Sequence, residues 1–255
     1  KPNIFLYTCY SIFLLSLFLA SAILKRSAGC IINDIVDRKF DKKVARTKHR
    51  AIASGKVSVL LGLFYSLVLC LTALIVLINF NSLTIFLSII SMPLAFTYPL
   101  MKRFTYCPQL YLGITFNYGL ILGWTSIVNE INLVPIIFYL GAIFWTLGYD
   151  TIYGYQDIKD DEIIGLKSTS IKFKKKPNIF LYTCYSIFLL SLFLVGYILE
   201  LNNFYYMFFL MAIIHLYYFQ INQLNIKKPL NCLKIFKSNN ILGLLVFLGL
   251  IIGKF

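Results

Sequence analysis

The chain has 255 residues, of which 59% are hydrophobic, 17% aromatic and only 13% charged. Soluble domains carry roughly 25% charged residues, so this composition excludes an ordinary soluble protein and indicates a membrane protein. The net charge of +14 is concentrated in a few segments between apolar stretches, which argues against a nucleic-acid partner.

Eight apolar stretches predict an all-α, multi-span transmembrane bundle, because one crossing takes about 20 mostly apolar residues. They lie at 4–24, 57–79, 82–100, 109–128, 132–150, 178–199, 203–221 and 239–253. Nearly all Lys and Arg residues fall on one side of this topology, in the segments 25–56, 102–103, 159–176 and 227–237. The positive-inside rule makes that side cytoplasmic and places the N-terminus outside.

The first span contains an unchanged internal repeat. Residues 1–19, KPNIFLYTCYSIFLLSLFL, recur at 176–194 without a single difference. Ancient structural repeats keep their pattern while their sequences diverge, so this identity indicates a recent duplication or a misassembled sequence. We therefore expect one transmembrane domain over 1–255, in which residues 1–19 are a duplicated copy that is not native to the fold.

An aspartate-rich segment, NDIVDRKFD, follows the first span and contains Asn33, Asp34, Asp37 and Asp41. Offsets of three and four residues place the carboxylates on one face of a helix. Clustered carboxylates repel one another at pH 7 unless a positive group lies among them. The segment therefore predicts a site for a cation.

A second aspartate-rich segment, DTIYGYQDIKDDE, follows the fifth span. Asp150, Asp157 and Asp161 are separated by seven and four residues, which again places them on one helical face. Carboxylate oxygens suit Mg²⁺, which is usually bound by one or two carboxylates together with substrate phosphates. A solvated charged loop whose carboxylates pair with its own Lys and Arg residues is the alternative for either segment alone, but two such segments at helix ends favour the metal.

Basic residues near these segments are candidates for binding an anion. A diphosphate requires Lys or Arg donors as well as a metal. The candidates are Arg46, Arg50, Lys102, Arg103 and Lys167. Each also contributes to the positive-inside pattern, which is the alternative explanation. Gly55 and Gly165 are predicted turn residues, and the six Cys residues show no zinc or CxxC spacing.

Three segments together resemble a known family. RSAGCIINDIVDRKFDKKVARTKHRAIASG (26–55) and GYDTIYGYQDIKDDEIIGLKSTS (148–170) resemble the two signatures of the UbiA superfamily of intramembrane prenyltransferases. YPLMKRFTYCPQLYLG (98–113) resembles the stretch between them. The combination is most similar to the 4-hydroxybenzoate polyprenyltransferase branch of ubiquinone biosynthesis. The family pattern has nine helices, whereas this sequence offers eight.

The resemblance implies a Mg²⁺-dependent enzyme that transfers a polyprenyl group from polyprenyl diphosphate to an aromatic acid acceptor, 4-hydroxybenzoate. The metal ligands that it implies are Asp34, Asp37, Asp41, Asp157 and Asp161. The diphosphate contacts that it implies are Asn33, Arg46, Arg50, Lys102, Arg103 and Lys167. By the same resemblance, Asp150 orients or deprotonates the acceptor phenol and Tyr153 helps to place the substrate.

The expected location is the lipid bilayer of the bacterial inner membrane, with the active site facing the cytoplasm; the mitochondrial inner membrane is the alternative. Two other functions stay open. The unchanged repeat favours an inactive, truncated or misassembled family member. A membrane transporter would need carboxylates at the bilayer midplane, whereas here they lie at helix ends.

Overall fold

A computed structural model describes residues 4–42 and 47–255, and every regular element in these ranges is a helix. The α-helices are α1 (Ile4–Val36), α2 (Arg38–Asp41), α3 (Val59–Leu77), α4 (Ser82–Thr97), α5 (Met101–Phe104), α6 (Pro108–Asn117), α7 (Gly119–Val128), α8 (Leu133–Gly154), α9 (Ile158–Ile164), α10 (Thr169–Lys172), α11 (Pro177–Ile198), α12 (Asn203–Ile214) and α13 (Pro229–Lys254). A 3₁₀ turn covers Tyr98–Leu100, and a π-helical segment covers His215–Ile221. The predicted all-α class is confirmed.

Within the described residues, six helices are long and apolar enough to cross a membrane: α1, α3, α8, α11, α12 with its π-helical extension, and α13. The predicted multi-span architecture is therefore confirmed. Two of the eight predicted stretches differ in detail. The stretch 82–100 contains a 16-residue helix, and the stretch 109–128 is divided into α6 and α7 at Tyr118.

The break between α6 and α7 has a local cause. Gly119, which follows Tyr118, has a low helix propensity. The amide of Asn117 donates to Gly113 O at 2.8 Å, to Ala142 O at 3.1 Å and to Thr146 Oγ1 at 2.7 Å. The last two contacts tie the end of α6 to α8.

Two helices extend well beyond their predicted spans. The first apolar stretch is predicted to end at residue 24, but α1 continues to Val36 and includes the first residues of the aspartate-rich segment. The last stretch is predicted to begin at residue 239, but α13 begins at Pro229, a residue that suits the first turn of a helix. Hydropathy marks the bilayer crossing, whereas a helix continues into the polar sequence around it.

Each of the short connections without basic residues contains an Asn that caps the N-terminus of the next helix. The side-chain oxygens of Asn81, Asn132 and Asn202 each accept a hydrogen bond from a backbone N–H two or three residues later, at 2.9–3.3 Å. Asn is among the preferred residues for capping a helix N-terminus. These connections therefore contain turns and caps, and neither aspartate-rich segment belongs to them.

The helices form two compact units. The first unit contains the described residues up to Pro99 together with Leu122–Glu130, and the second contains Leu100–Ile121 and Ile131–Phe255. In the first unit α1 packs along α3, and in the second α8 packs against α6, α11 and α13. The first aspartate-rich segment lies in the first unit, and the second segment lies in the second.

The two copies of the repeat differ in burial at equivalent aromatic positions. Residues 4–19 of the first copy form the start of α1, where Tyr10 is 54% exposed and Phe13 is 46% exposed. The second copy forms most of α11, where the equivalent residues Tyr185 and Phe188 are both 0% exposed. That residues 1–19 are foreign to the fold stays a prediction.

Candidate functional site

The first aspartate-rich segment runs from the end of α1 to the end of α2. Asn33 and Asp34 lie in the last turn of α1, Asp37 lies at the junction, and Asp41 is the last residue of α2. Backbone bonds from Asp37 N to Asn33 O and from Asp41 N to Asp37 O, both 2.8 Å long, continue the α-helical pattern across the junction. The predicted helical spacing therefore holds, although the helix is interrupted at Asp37.

Arg50 lies between two carboxylates of this segment. Its Nη1 donates to Asp34 Oδ1 at 2.9 Å and to Asp41 Oδ2 at 3.1 Å. The Asp41 side chain is largely buried, whereas those of Asp34 and Arg50 are partly exposed. A cation shared by two carboxylates offsets their mutual repulsion. Asp34 and Asp41 therefore face the same way, as the spacing predicts. They pair with an Arg of their own loop, an arrangement that the alternative without a metal also predicts.

The segment after α2 holds Arg50 in place. Arg50 N donates to Thr47 O at 3.0 Å, and the buried Thr47 hydroxyl donates to Asp41 O at 3.1 Å. Ile52 and Ala53, which follow, are buried. Gly55 ends this stretch at φ +83°, a conformation that favours glycine and confirms the predicted turn. Another predicted diphosphate contact, Arg46, lies outside the described residues.

The second aspartate-rich segment joins α8 to α9. Asp150 and Tyr153 lie in the last two turns of α8, Asp157 directly precedes α9, and Asp161 lies in the first turn of α9. All four are half-buried, and Asp161 N donates to Asp157 O at 2.9 Å. The predicted turn at Gly165 is confirmed by its φ of +80° at the end of α9.

Buried polar contacts attach the loop after α9 to α8 and α6. The hydroxyls of Thr151 and Thr169 lie 2.6 Å apart, and Ser170 Oγ donates to Thr151 O at 2.9 Å. Thr169 N donates to Gln109 Oε1 at 3.0 Å. These contacts hold the loop that carries Lys167. Sequence reasoning did not single them out, although the Ser/Thr run after Lys167 was a usable signal.

Lys167 and Tyr106 belong to two different stretches that resemble the family, 148–170 and 98–113, and they lie close together. Its Nζ lies 5.4 Å from the centroid of the Tyr106 ring, within the range of a cation–π interaction. Tyr106 follows the predicted diphosphate residues Lys102 and Arg103, which lie in α5; Arg103 is exposed. Tyr106, within the stretch 98–113, therefore lies against Lys167, five residues after the second aspartate-rich segment.

An aromatic stripe on α8 begins at the predicted catalytic Tyr153. Trp145, Tyr149 and Tyr153 are spaced by four residues, so they lie along one side of α8. Phe236 of α13 lies 4.5 Å from Tyr153 and 5.8 Å from Tyr149, measured between ring centroids. Trp145 stacks on Phe188 at 5.1 Å. The stripe offers apolar aromatic surface from Tyr153 back along the membrane helix.

A buried polar network lies behind this stripe. Asn239 Oδ1 accepts hydrogen bonds from Trp145 Nε1 at 2.8 Å and from Gln220 Nε2 at 3.0 Å. Gln220 Oε1 in turn accepts from the Tyr185 hydroxyl at 2.6 Å. The π-helical segment His215–Ile221 provides Gln220. Sequence reasoning missed this network, whose signal was two amide side chains within apolar helices.

The donor atoms of the first segment fit a hard cation. Across the part of the chain that the structure describes, no three His, Cys, Asp or Glu side chains form a ready-made metal cluster. Asp34 and Asp41 nevertheless already share one positive group, the Arg50 guanidinium. Mg²⁺ typically takes one or two carboxylates and completes its shell with water and substrate phosphate. These residues therefore fit a metal that binds together with a phosphate-bearing substrate.

The model of the UbiA prenyltransferase family matches residues 4–248. The chain belongs to this family. The mitochondrial 4-hydroxybenzoate polyprenyltransferase of Bos taurus is 43% identical over 243 residues, which make up 95% of this chain and 65% of that protein. The 4-hydroxybenzoate octaprenyltransferase of Coxiella burnetii is 36% identical over 92% of this chain and 82% of its own length. The chain thus spans slightly less than two thirds of its bovine UbiA relative.

Solved UbiA structures have the same fold. An apo UbiA homolog from Aeropyrum pernix K1 has a TM-score of 0.80 at 20% identity, covering 92% of this chain and 88% of its own. A UbiA homolog from Archaeoglobus fulgidus, bound to GPP and Mg²⁺, has a TM-score of 0.66 at 16% identity, covering 94% and 87%. The likeness at this level of identity concerns the fold, and the roles of the individual site residues stay predictions.

Proposed function

We propose that this UbiA family member transfers a polyprenyl group from a polyprenyl diphosphate to 4-hydroxybenzoate, as in ubiquinone biosynthesis. The observation that carries the proposal is the pair of carboxylates, Asp34 and Asp41, that share one cation at the end of a membrane helix. Relatives named for 4-hydroxybenzoate prenyl transfer match more than nine tenths of the chain at 36–43% identity, which supports the choice of acceptor.

The acidic residues of both segments are the proposed metal ligands: Asp34, Asp37, Asp41, Asp157 and Asp161. Mg²⁺, when bound, neutralises charge on the diphosphate and thereby favours loss of this leaving group. Arg50, Arg103 and Lys167 add positive charge at fixed positions, which stabilises the charge that develops on the leaving oxygen. Asn33 and Lys102 complete the proposed diphosphate contacts, together with Arg46, which lies outside the described residues.

The acceptor is proposed to react near the end of α8. Asp150 is half-buried and would accept a hydrogen bond or the proton from the acceptor phenol. The ring carbon ortho to the phenol oxygen then forms the bond to the allylic carbon as the C–O bond to diphosphate breaks. The hydrogen on that ring carbon leaves as a proton to solvent, and Asp150 returns any proton that it took, so the product is again a phenol. Tyr153, held against Phe236, presents an aromatic surface that would stabilise positive charge on the allylic group.

The proposed location is an energy-transducing inner membrane. The described helices long enough to cross a bilayer make the chain an integral membrane protein. Its relatives include mitochondrial proteins and a protein of the bacterium Coxiella burnetii. We propose the bacterial inner membrane with the active site facing the cytoplasm, because the basic segments define that side; the mitochondrial inner membrane is the alternative.

The test is a prenyl-transfer assay on membranes that contain this chain. The assay supplies a polyprenyl diphosphate and 4-hydroxybenzoate, with Mg²⁺ or with a chelator, and product is detected by mass spectrometry. We expect product only with Mg²⁺. Asp37→Ala and Asp157→Ala should abolish transfer while the protein still inserts into the membrane. Asp160→Ala, which removes a neighbouring carboxylate outside the proposed ligand set, is the matched control and should retain activity.

Three outcomes decide among the functions. Transfer by Asp37→Ala or Asp157→Ala at the rate of the unmodified chain would remove these residues from the metal site. Transfer in the presence of the chelator would remove the metal requirement. A properly inserted but inactive unmodified chain would favour the inactive, truncated family member.

A further inference from the structure

One nitrogen atom connects the two outer carboxylates of the first aspartate-rich segment. Nη1 of Arg50 is the donor both to Asp34 Oδ1 and to Asp41 Oδ2. A guanidinium stays charged at every pH that a protein tolerates. The two carboxylates are therefore paired with a permanent cation in this structure.

A metal at the same carboxylates would compete with this arrangement. Mg²⁺ binds carboxylate oxygens at about 2.0–2.1 Å, so an ion held by the same two oxygens, Asp34 Oδ1 and Asp41 Oδ2, would lie where the Arg50 guanidinium now lies. Two positive charges within about 4 Å repel each other by several kcal/mol at the dielectric constants typical of protein surfaces. Arg50 and Mg²⁺ cannot both occupy the space between the carboxylates.

We propose that Arg50 keeps the first carboxylate cluster closed to free Mg²⁺ and releases it when a diphosphate arrives. The inference rests on the proposed function, because it takes Asp34 and Asp41 to be metal ligands. A diphosphate offers the displaced guanidinium two anionic oxygens in the forked geometry that Arg prefers. Metal and diphosphate therefore bind cooperatively, each making room for the other.

The surrounding structure allows this exchange by rotation of one side chain. The backbone of Arg50 is fixed by its own N–H bond to Thr47 O at 3.0 Å and by the bond from Ser54 N to Arg50 O at 2.8 Å. Ile52 and Ala53 anchor the same stretch in the interior. The Arg50 side chain, in contrast, is 35% exposed. The guanidinium therefore has room to rotate while the backbone of its segment stays in place.

Two simpler roles for Arg50 predict different changes in the affinity for free metal when Arg50 is replaced. If Arg50 only binds diphosphate, its removal leaves the affinity for free metal unchanged. If Arg50 braces the cluster by holding Asp34 to Asp41, its removal spreads the carboxylates and weakens metal binding. If Arg50 excludes free metal, its removal tightens metal binding.

The test measures binding of Mn²⁺, in place of Mg²⁺, by electron paramagnetic resonance on the purified full chain in detergent. Without diphosphate, Arg50→Gln should tighten Mn²⁺ binding about tenfold, within the usual range of coupling between two sites. Arg50→Lys retains the charge and should bind Mn²⁺ as weakly as the unmodified chain. Lys56→Gln removes an exposed charge from the same connection and should change the affinity less than about twofold, because exposed charges are strongly screened.

A second arm adds inorganic pyrophosphate. Pyrophosphate should tighten Mn²⁺ binding to the unmodified chain more than to Arg50→Gln, so the difference between the two proteins shrinks. Pyrophosphate also binds Mn²⁺ in solution, but equally in both samples, so a difference between the two proteins reflects Mn²⁺ binding to the protein. This arm needs no enzymatic turnover.

Unchanged or weaker Mn²⁺ binding by Arg50→Gln overturns the inference, and equal tightening by Arg50→Lys does the same. If Arg50→Gln does not fold, the unmodified chain decides: tight Mn²⁺ binding without pyrophosphate refutes the exclusion of free metal. The two proposals fail separately. If the unmodified chain shows Mg²⁺-dependent prenyl transfer but Arg50→Gln binds Mn²⁺ with unchanged affinity, only the role of Arg50 is refuted. If the unmodified chain does not bind Mn²⁺ with or without pyrophosphate, the metal site itself is refuted.

Discussion

Phe13 and Phe188 occupy equivalent positions in two identical stretches of sequence, so replacing each by Ala compares two environments with the neighbouring sequence held constant. The changes in helix propensity and in the unfolded chain are then nearly the same. Phe188 is fully buried in α11, with its ring stacked on Trp145 at 5.1 Å, whereas Phe13 is 46% exposed in α1. The difference between the two variants therefore isolates tertiary packing.

The expected loss of stability follows from the side-chain atoms that each substitution to Ala removes. In a bilayer the transfer contribution largely cancels, because lipid tails are as apolar as the side chain. The cavity remains: a lost phenyl ring leaves on the order of 100 Å³, which at about 24 cal/mol per Å³ costs about 2.4 kcal/mol. Loss of the stacked ring pair adds about 0.5–1.5 kcal/mol. We expect Phe188→Ala to cost about 3 kcal/mol and Phe13→Ala less than about 0.5 kcal/mol, as is typical of exposed sites.

The assay is reversible unfolding in mixed detergent and dodecyl sulfate micelles, followed by far-ultraviolet circular dichroism. Tryptophan emission gives an independent signal, because Phe188→Ala removes the ring that stacks on Trp145, while Phe13→Ala should leave the spectrum unchanged. Equal losses of stability in the two variants would refute the reasoning, as would a larger loss at Phe13, since either result would mean that the first copy packs as tightly as the second.

Three further changes test contacts of the second unit by the same unfolding measurement. Gly154→Ala introduces a Cβ that overlaps the Ser170 hydroxyl and should cost about 1–3 kcal/mol; it should cost less in a Ser170→Ala background than in the unmodified chain, and an equal cost in both would refute the clash. Tyr185→Phe removes the donor to Gln220 and should cost about 0.6–1.7 kcal/mol, whereas Tyr10→Phe, in the same local sequence, should cost nothing measurable. Asn117→Leu removes the amide contacts from α6 to α8 and should cost a similar 0.6–1.7 kcal/mol; unchanged stability would show that these bonds contribute nothing.

Hydropathy predicted the membrane helices because a bilayer imposes an apolar composition over a fixed length. It did not predict where the helices end. The extension of α1 to Val36 and the early start of α13 at Pro229 depend on backbone hydrogen bonding outside the apolar layer, to which composition is insensitive. The contacts that tie the end of α6 at Asn117 to α8 could likewise not be predicted, because no local pattern encodes them.

The acidic half of the site could be predicted because helical spacing fixes which residues share a face. Asp34 and Asp41 illustrate this, since one guanidinium contacts both. Pairing with a nearby Lys or Arg is among the sequence-based alternatives, but helical spacing does not single out Arg50, which lies nine residues beyond Asp41. The bond from Thr169 to Gln109 joins residues 60 positions apart, and no periodicity connects them. Contacts of this kind arise from tertiary packing alone.

The central proposal, that each aspartate-rich segment contributes Mg²⁺ ligands for prenyl transfer, is tested most directly by the metal requirement of the reaction. The measurement is the Mg²⁺ concentration that gives half-maximal transfer by the unmodified chain, by Asp37→Asn and by Asp157→Asn. Asn keeps an oxygen ligand but loses the charge, so both variants should need about tenfold or more Mg²⁺, a change similar to that seen on weakening metal sites elsewhere. An unaltered Mg²⁺ requirement in both variants, or full activity of the unmodified chain after removal of the metal, would contradict the account.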